Sequence, residues 1–145
     1  MKRILGIDYG EARVGIAVTD GLNLTAQGIE TIQRKGSDKV VLRRLDEILE
    51  NYDIDTIVVG MPFNMNGTIS ERAKITEQFI HKLKCKYNNI KIDTIDERLT
   101  TVEAHKTMNF LDINKNKKKN IVDTISAVYI LETYLNKLKN SLKNN

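Results

Sequence analysis

The period of the hydrophobic pattern changes once along this chain, and that change narrows the folds open to it. Ile4, Leu5 and Ile7 make a β-like segment from Lys2 to Tyr9, with Asp8 and Gly10 at its end. Val14, Ile16 and Val18 then alternate with Gly15, Ala17 and Thr19, the period-two signature of a strand. A third strand is expected over Ala26 to Ile32. Three strands joined by short connections predict an antiparallel meander.

After Ser37 the spacing becomes helical. Val41, Leu45, Ile48, Leu49 and Tyr52 recur on one face behind Ser37 as N-cap. Thr56 to Val59 reads as a buried strand ending at Gly60. Thr68 and Glu71 fit a capping box, followed by Ala73, Thr76, Ile80 and Leu83 along one side of a helix. Ile90 to Ile95 reads as a strand, and Thr100 with Glu103 as the cap of a short helix. A polar, basic loop from Asp112 to Lys119 leads to a last helix from about Asn120 to Leu138, with a tail from about residue 139.

Helix-separated strands favour parallel pairing, so the expected architecture is α/β: a mixed five-stranded sheet with helices on both faces. A length of 145 residues is that of one domain, spanning 1–145. A lone cysteine, Cys85, excludes an internal disulfide and a cysteine-rich zinc site. No apolar run approaches the ~20 residues that span a bilayer, and the N-terminus lacks a secretory apolar core. A cytoplasmic protein with no membrane association is expected.

The carboxylates are the chemically informative residues. Asp8 closes the first strand, and Glu97 follows the last one in Asp96-Glu97-Arg98; ligands of such sheets bind beyond the strands' carboxyl ends. Asp123 heads the helical stripe 123, 127, 130, 134, which is otherwise Ala, Ile and Tyr. Each has an ordinary reading: a turn residue for Asp8, a pair with Arg98 for Glu97, a favourable helix N-terminus for Asp123. Convergence of all three would instead demand protons or a cation. An oxygen-only ligand set suits Mg²⁺, with Mn²⁺ as a substitute, and metal-assisted phosphodiester hydrolysis follows.

Four blocks carry a resemblance that runs from about Ile4 to Tyr134. They are Gly6-Ile7-Asp8-Tyr9-Gly10 with Arg13-Val14-Gly15, then Gly60-Met61-Pro62-Phe63-Asn64-Met65-Asn66-Gly67-Thr68, then Asp96-Glu97-Arg98-Leu99-Thr100-Thr101, and Val122-Asp123 leading into Ser126-Ala127. Together they resemble the YqgF family, RuvC-like proteins of the ribonuclease H-like superfamily described as pre-16S rRNA nucleases or Holliday junction resolvase-like proteins. The resemblance implies that Asp8, Glu97 and Asp123 are the catalytic, metal-binding carboxylates. It also implies a role in maturing the 5′ end of the small-subunit ribosomal RNA precursor, with pre-ribosomal particles as partners. RuvC-like resolvases carry a glutamate after the middle strand, where this chain has Gly60-Met61-Pro62. Many relatives have aspartate where this chain has Asn66, so that position is not counted as a ligand.

A net charge of +4 is a mild sign of a polyanionic partner, and equally that of a lysine-rich solvated surface. Arg13 and Arg98 are candidates for phosphate contact, or for ion pairs with Glu11, Asp96 or Glu97. Lys117 and Lys119 are candidates for guiding a phosphate backbone, or for a solvated loop. Gly10 and Gly15 serve close phosphate approach or packing of the first two strands; Pro62 and Gly67 border a groove or simply shape a turn. With no tryptophan and few free aromatics, recognition by backbone charge and shape is expected; the resemblance implies RNA in preference to DNA. Monomer and homodimer are both compatible with the sequence. The rival functions are a junction-resolving DNA endonuclease, a non-catalytic nucleic-acid-binding domain of the same fold, and a nucleotide-binding half related to sugar kinases.

Overall fold

A computed structural model describes residues 2–97 and 115–143; in the last helix the side chains described are those of residues 123–142. Strands β1 (Arg3–Tyr9), β2 (Arg13–Thr19) and β3 (Ala26–Gln33) form an antiparallel meander. Helix α1 (Asp38–Asn51), β4 (Ile54–Met61), α2 (Glu71–Lys86) and β5 (Lys91–Asp96) follow, and α3 (Lys115–Lys143) closes the described chain. β4 pairs parallel to both β1 and β5, giving the order β3-β2-β1-β4-β5. The mixed five-stranded sheet with helices on both faces matches the expectation.

Side-chain alternation divides the core in two. Leu5, Ile7, Tyr9, Val14, Ile16, Val18, Ile57 and Val59 point to the α1–α2 face and meet Val41, Leu45, Ile48, Phe79 and Leu83. Ile4, Ala17, Val58 and Ile95 point the other way, against Ala127, Ile130, Leu131 and Tyr134 of α3. β1 and β2 are therefore covered on both sides, each having six consecutive buried residues.

Two local expectations are corrected. Ser70, not Thr68, caps α2: its Oγ accepts from the Ala73 amide at 3.0 Å and donates to the Pro62 carbonyl at 2.6 Å. The Thr68 hydroxyl is engaged in a closed turn with Asn64 and Asn66, completed by Gly67 at φ 85°. Pro62 and Gly67 thus shape and anchor this turn. Helix α3 is longer at both ends than expected, so the basic loop is helical from Lys115 and the tail is helical to Lys143. Lysine is a good helix former, and no glycine or proline interrupts this stretch. The short helix expected after Thr100 lies outside the described residues.

One buried carboxylate anchors the floor of β1. Asp38 Oδ1 accepts from Tyr9 Oη at 2.5 Å and Arg34 Nε at 2.8 Å, while Oδ2 accepts from Lys82 Nζ at 2.8 Å. Tyr9 also stacks on Phe79 at 4.2 Å. Burial pushes Asp38 up, but Lys82, Tyr9 and Arg34 outweigh it and hold the carboxyl below its ordinary range. A lowered folded value gives stability that is present above about pH 4 and lost as the pH falls through that value. Asp38→Ala is expected to cost about 2 kcal/mol at pH 7, from lost charge-assisted hydrogen bonds. Urea titrations at pH 7 and pH 3 should show that deficit shrinking in acid.

Candidate active site

The alternation that builds the two cores also collects the acidic residues. Asp8 has the parity of Ile4 and Gly6, so it faces α3 and not the α1–α2 core. It pairs with Gly15 across the antiparallel ladder. On the other side β4 runs alongside, with Ile7 opposite Val59. Glu97 follows Asp96, which pairs with Met61, and so lies one residue past the end of β5. A Cβ on Gly60 would stand 2.6 Å from Ile130 Cδ1 and 3.4 Å from Glu97 Cδ. The absence of a side chain at Gly60 thus makes room for both the helix and the Glu97 carboxyl.

Helix α3 is seated on glycines. A Cβ on Gly15 would lie 2.0 Å from the Asp123 carbonyl oxygen, and one on Gly28 would lie 2.3 Å from Thr124 Cγ2. The Thr31 and Thr124 hydroxyls are 2.6 Å apart, tying the helix to β3. Gly15 serves packing, though against α3 and not between the first two strands. Gly10 belongs to the β1–β2 turn, its amide donating to the Arg13 carbonyl at 2.9 Å. The stripe of Asp123, Ala127, Ile130 and Tyr134 does face the sheet, and all but Asp123 are fully buried. Asp123 lies more than two turns inside a helix that begins at Lys115, beyond the reach of its N-terminal dipole. The simple capping explanation for this aspartate therefore fails.

The local electrostatics are strained. Asp8 and Glu97 are each only 7% exposed, and Glu97 is near enough to act directly on the Asp8 carboxyl. Asp8 Oδ1 is buried and has no hydrogen-bond partner among the described residues. Burial first, then the contact with Glu97 and its charge, then the charge of Asp123, push Asp8 well above the usual carboxylate range. Burial also raises Asp123, against the opposing hydrogen bond and charge of Arg13. Asp123 Oδ2 accepts from Arg13 Nε at 2.7 Å. As they stand, the three carboxylates are mutually close in charge but do not make a closed three-ligand metal cluster; none exists among the described residues.

Of the predicted phosphate-contacting residues, Arg13 pairs with Asp123 and not with Glu11, Asp96 or Glu97. Arg98 lies outside the described residues, as do Thr100 and His105. Lys117 and Lys119 belong to the first turns of α3, with side chains outside those described. His81 is exposed on α2 beside Cys85, 3.5 Å from its Sγ. Sequence reasoning missed Arg72. It is exposed in the first turn of α2, its positive charge opposes the upward shifts of both Asp8 and Asp123, and its guanidinium forms no ion pair among the described residues. A cation at the positive end of a helix is disfavoured by the backbone dipole. That anomaly is legible in Ser70-Glu71-Arg72-Ala73, once Ser70 is taken as the cap.

Strand order, helix placement and the buried carboxylate pair together define a domain of the ribonuclease H-like class. Solved structures agree on the fold. A fowlpox virus Holliday junction resolvase superposes with a TM-score of 0.57 at 16% identity, covering 94% of this chain and 99% of that one. Thermus thermophilus RuvC, solved with a Holliday junction substrate, gives 0.51 at 11% identity, covering 92% and 96%. The chain belongs to the RuvX (YqgF) family, a nuclease family whose model, described as Holliday junction resolvase, matches residues 2–137. Proteins named "putative pre-16S rRNA nuclease" are 51% identical in Ruminiclostridium cellulolyticum, over 97% of this chain and 99% of the relative, and 48% identical in Acetivibrio thermocellus, over 92% and 94%. Among the described residues no helix is long and apolar enough to cross a membrane.

Proposed function

We propose that this protein is a divalent-metal-dependent nuclease that processes the 5′ end of pre-16S rRNA in the cytoplasm. The observation that carries the hydrolytic reading is the buried, mutually repelling pair Asp8–Glu97, with one Asp8 oxygen that has no partner among the described residues. A lone polar atom removed from water is costly unless something binds it. The donor set is oxygen only, as Mg²⁺ or Mn²⁺ prefers. The residues therefore fit a divalent ion, held by Asp8 and Glu97 and completed by Asp123. Bound there, the ion supplies Lewis acidity to the phosphodiester and eases deprotonation of the attacking water.

The chain's own groups do the rest. Packing around Asp8 and Glu97 excludes water, which strengthens their hold on a cation. Arg13 carries a guanidinium suited to phosphate oxygens, and the sequence nominates Arg98, Lys117 and Lys119 as further cations for a phosphate backbone. Positive charge of this kind makes nucleic-acid affinity fall steeply with salt. The RNA assignment draws its support from the names of relatives at up to 51% identity over nearly the whole chain. A DNA junction is the second reading, favoured by the description of the matching family model.

Addition of Mg²⁺ should raise the melting temperature of the purified protein, by about 2.7 kcal/mol of stability at a hundredfold excess over its dissociation constant. Differential scanning calorimetry with and without the ion checks this. Depletion of the protein in its source organism should leave pre-16S rRNA with unprocessed 5′ ends, mapped by primer extension. Unchanged ends would direct attention to junction DNA.

A further inference from the structure

We propose that Arg13 is an exchangeable cation: it holds Asp123 when the site is metal-free, and on metal entry releases that carboxylate and turns to a phosphate of the nucleic acid. The proposal rests on the metal-dependent nuclease reading above and adds to it how the third carboxylate is kept and released.

Three observations lead to it. Arg13 Nε sits 2.7 Å from Asp123 Oδ2, so the carboxylate that would complete the metal site already has a cation on it. The three carboxylates form no closed ligand cluster in this arrangement, although Asp8 and Glu97 are both buried at the same end of the sheet. The Arg13–Asp123 pair is also the accessible part of the site, with side chains 27% and 21% exposed, whereas Asp8 and Glu97 are 7% exposed. Burial confines the first pair, and the half-buried pair has more room to rearrange.

Position supplies the means. Arg13 is the first residue of β2, directly after the β1–β2 turn, and its backbone carbonyl anchors that turn through the Gly10 amide. The backbone is therefore held while the long side chain rotates. Asp123 moves less, because the Gly15 seat fixes its backbone. A divalent ion entering beside Asp123 would meet a like charge within a few ångströms, which is unfavourable at any dielectric found near a protein surface. Displacing the guanidinium relieves that repulsion and frees a planar fork of donors that matches phosphate geometry. Metal and substrate would then load together, since metal entry creates the substrate contact.

The test uses the full chain and three probes: Mn²⁺ by isothermal titration calorimetry without nucleic acid, and a structured RNA by fluorescence anisotropy in EDTA and in Ca²⁺. Arg13→Gln removes the charge and keeps hydrogen-bonding capacity; Arg13→Lys restores the charge. The expected result is a Mn²⁺ affinity about tenfold tighter in Arg13→Gln, the effect of removing one nearby like charge, with Arg13→Lys close to wild type. Arg13→Gln should weaken RNA binding several-fold more with Ca²⁺ bound than in EDTA, where the arginine is engaged by Asp123. A purely structural ion pair would instead lose metal affinity in Arg13→Gln, which overturns the exchange. Unaltered Mn²⁺ affinity in that variant also overturns it, while leaving the nuclease reading standing. Failure of the wild-type protein to bind Mn²⁺ at all would remove both.

Discussion

Asp8→Asn should abolish cleavage and, at the same time, make the metal-free protein more stable. Both effects come from one feature, a carboxylate that is 7% exposed, pushed up by burial and by Glu97, and without an Oδ1 partner among the described residues. Asparagine keeps the shape and removes the charge. Losing a ligand that places a Lewis acid is worth several kcal/mol in the transition state, so turnover should drop by roughly 10³-fold or more. The accompanying gain in stability should be on the order of 1 kcal/mol, as is usual when a substitution relieves a site kept unfavourable for function.

The pH dependence has a definite sign. Asp8 has a folded value raised above its unfolded one, so between the two the folded state binds the extra proton. Stability of the metal-free wild type is therefore highest below about pH 4 with respect to this group, and declines as the pH rises through the interval up to the raised value. Asp8→Asn removes that decline, and Mg²⁺ should no longer raise its melting temperature. Thermal melts from pH 4 to 8, with and without the ion, test all of this. Equal cleavage by wild type and Asp8→Asn would show that the activity resides elsewhere.

Gly15→Ala should be nearly as damaging to activity, although the residue touches no substrate. Its Cβ would fall 2.0 Å from the Asp123 carbonyl oxygen and 2.4 Å from the carbonyl carbon. Both are backbone atoms in the middle of a helix, so no side chain can rotate out of the way and α3 itself must move. The Thr31–Thr124 contact and the Ala127–Ile130 face resist that movement. Overpacking of this kind costs about 1–3 kcal/mol. A displacement of the order of 1 Å at Asp123 costs about 10²-fold in rate. Gly21→Ala makes the matched control, because nothing lies within 4 Å of a Cβ there. Denaturant titration and single-turnover cleavage of both variants separate the stability and positioning effects. A Gly15→Ala protein with wild-type turnover would mean that the seat of α3 does not set the geometry of the site.

Local chemistry accounts for what was legible beforehand. Period-two alternation in Val14, Ile16 and Val18, and helical spacing in Val41, Leu45 and Ile48, mark the side chains that meet in the α1–α2 core, and both elements form as read. Ser37 caps α1 because the cap needs only its own neighbouring amides. Thr68 does not cap α2 because its hydroxyl is engaged by Asn64 and Asn66, while Ser70, two residues on, takes the Ala73 amide and is held by the Pro62 carbonyl. The lysine-rich stretch 115–119 is helical where its polarity suggests a loop, because helix propensity and not charge governs the backbone there. The candidate site divides in the same way. Asp8, Glu97 and Asp123 stand out in the sequence as acids at strand ends or on an apolar stripe. The partner of Arg13 did not, since nearby acids such as Glu11 were the natural guesses and the observed one is 110 residues away.

The order of residues by itself determined the strands, the helical segments and the family, because periodicity and motif blocks are short-range properties of the chain. Only the tertiary structure decided which acids touch, which acid is held by an arginine, and why Gly15 has no side chain. Those outcomes depend on how α3 settles on the sheet, and close packing between segments more than a hundred positions apart leaves no mark on either one alone.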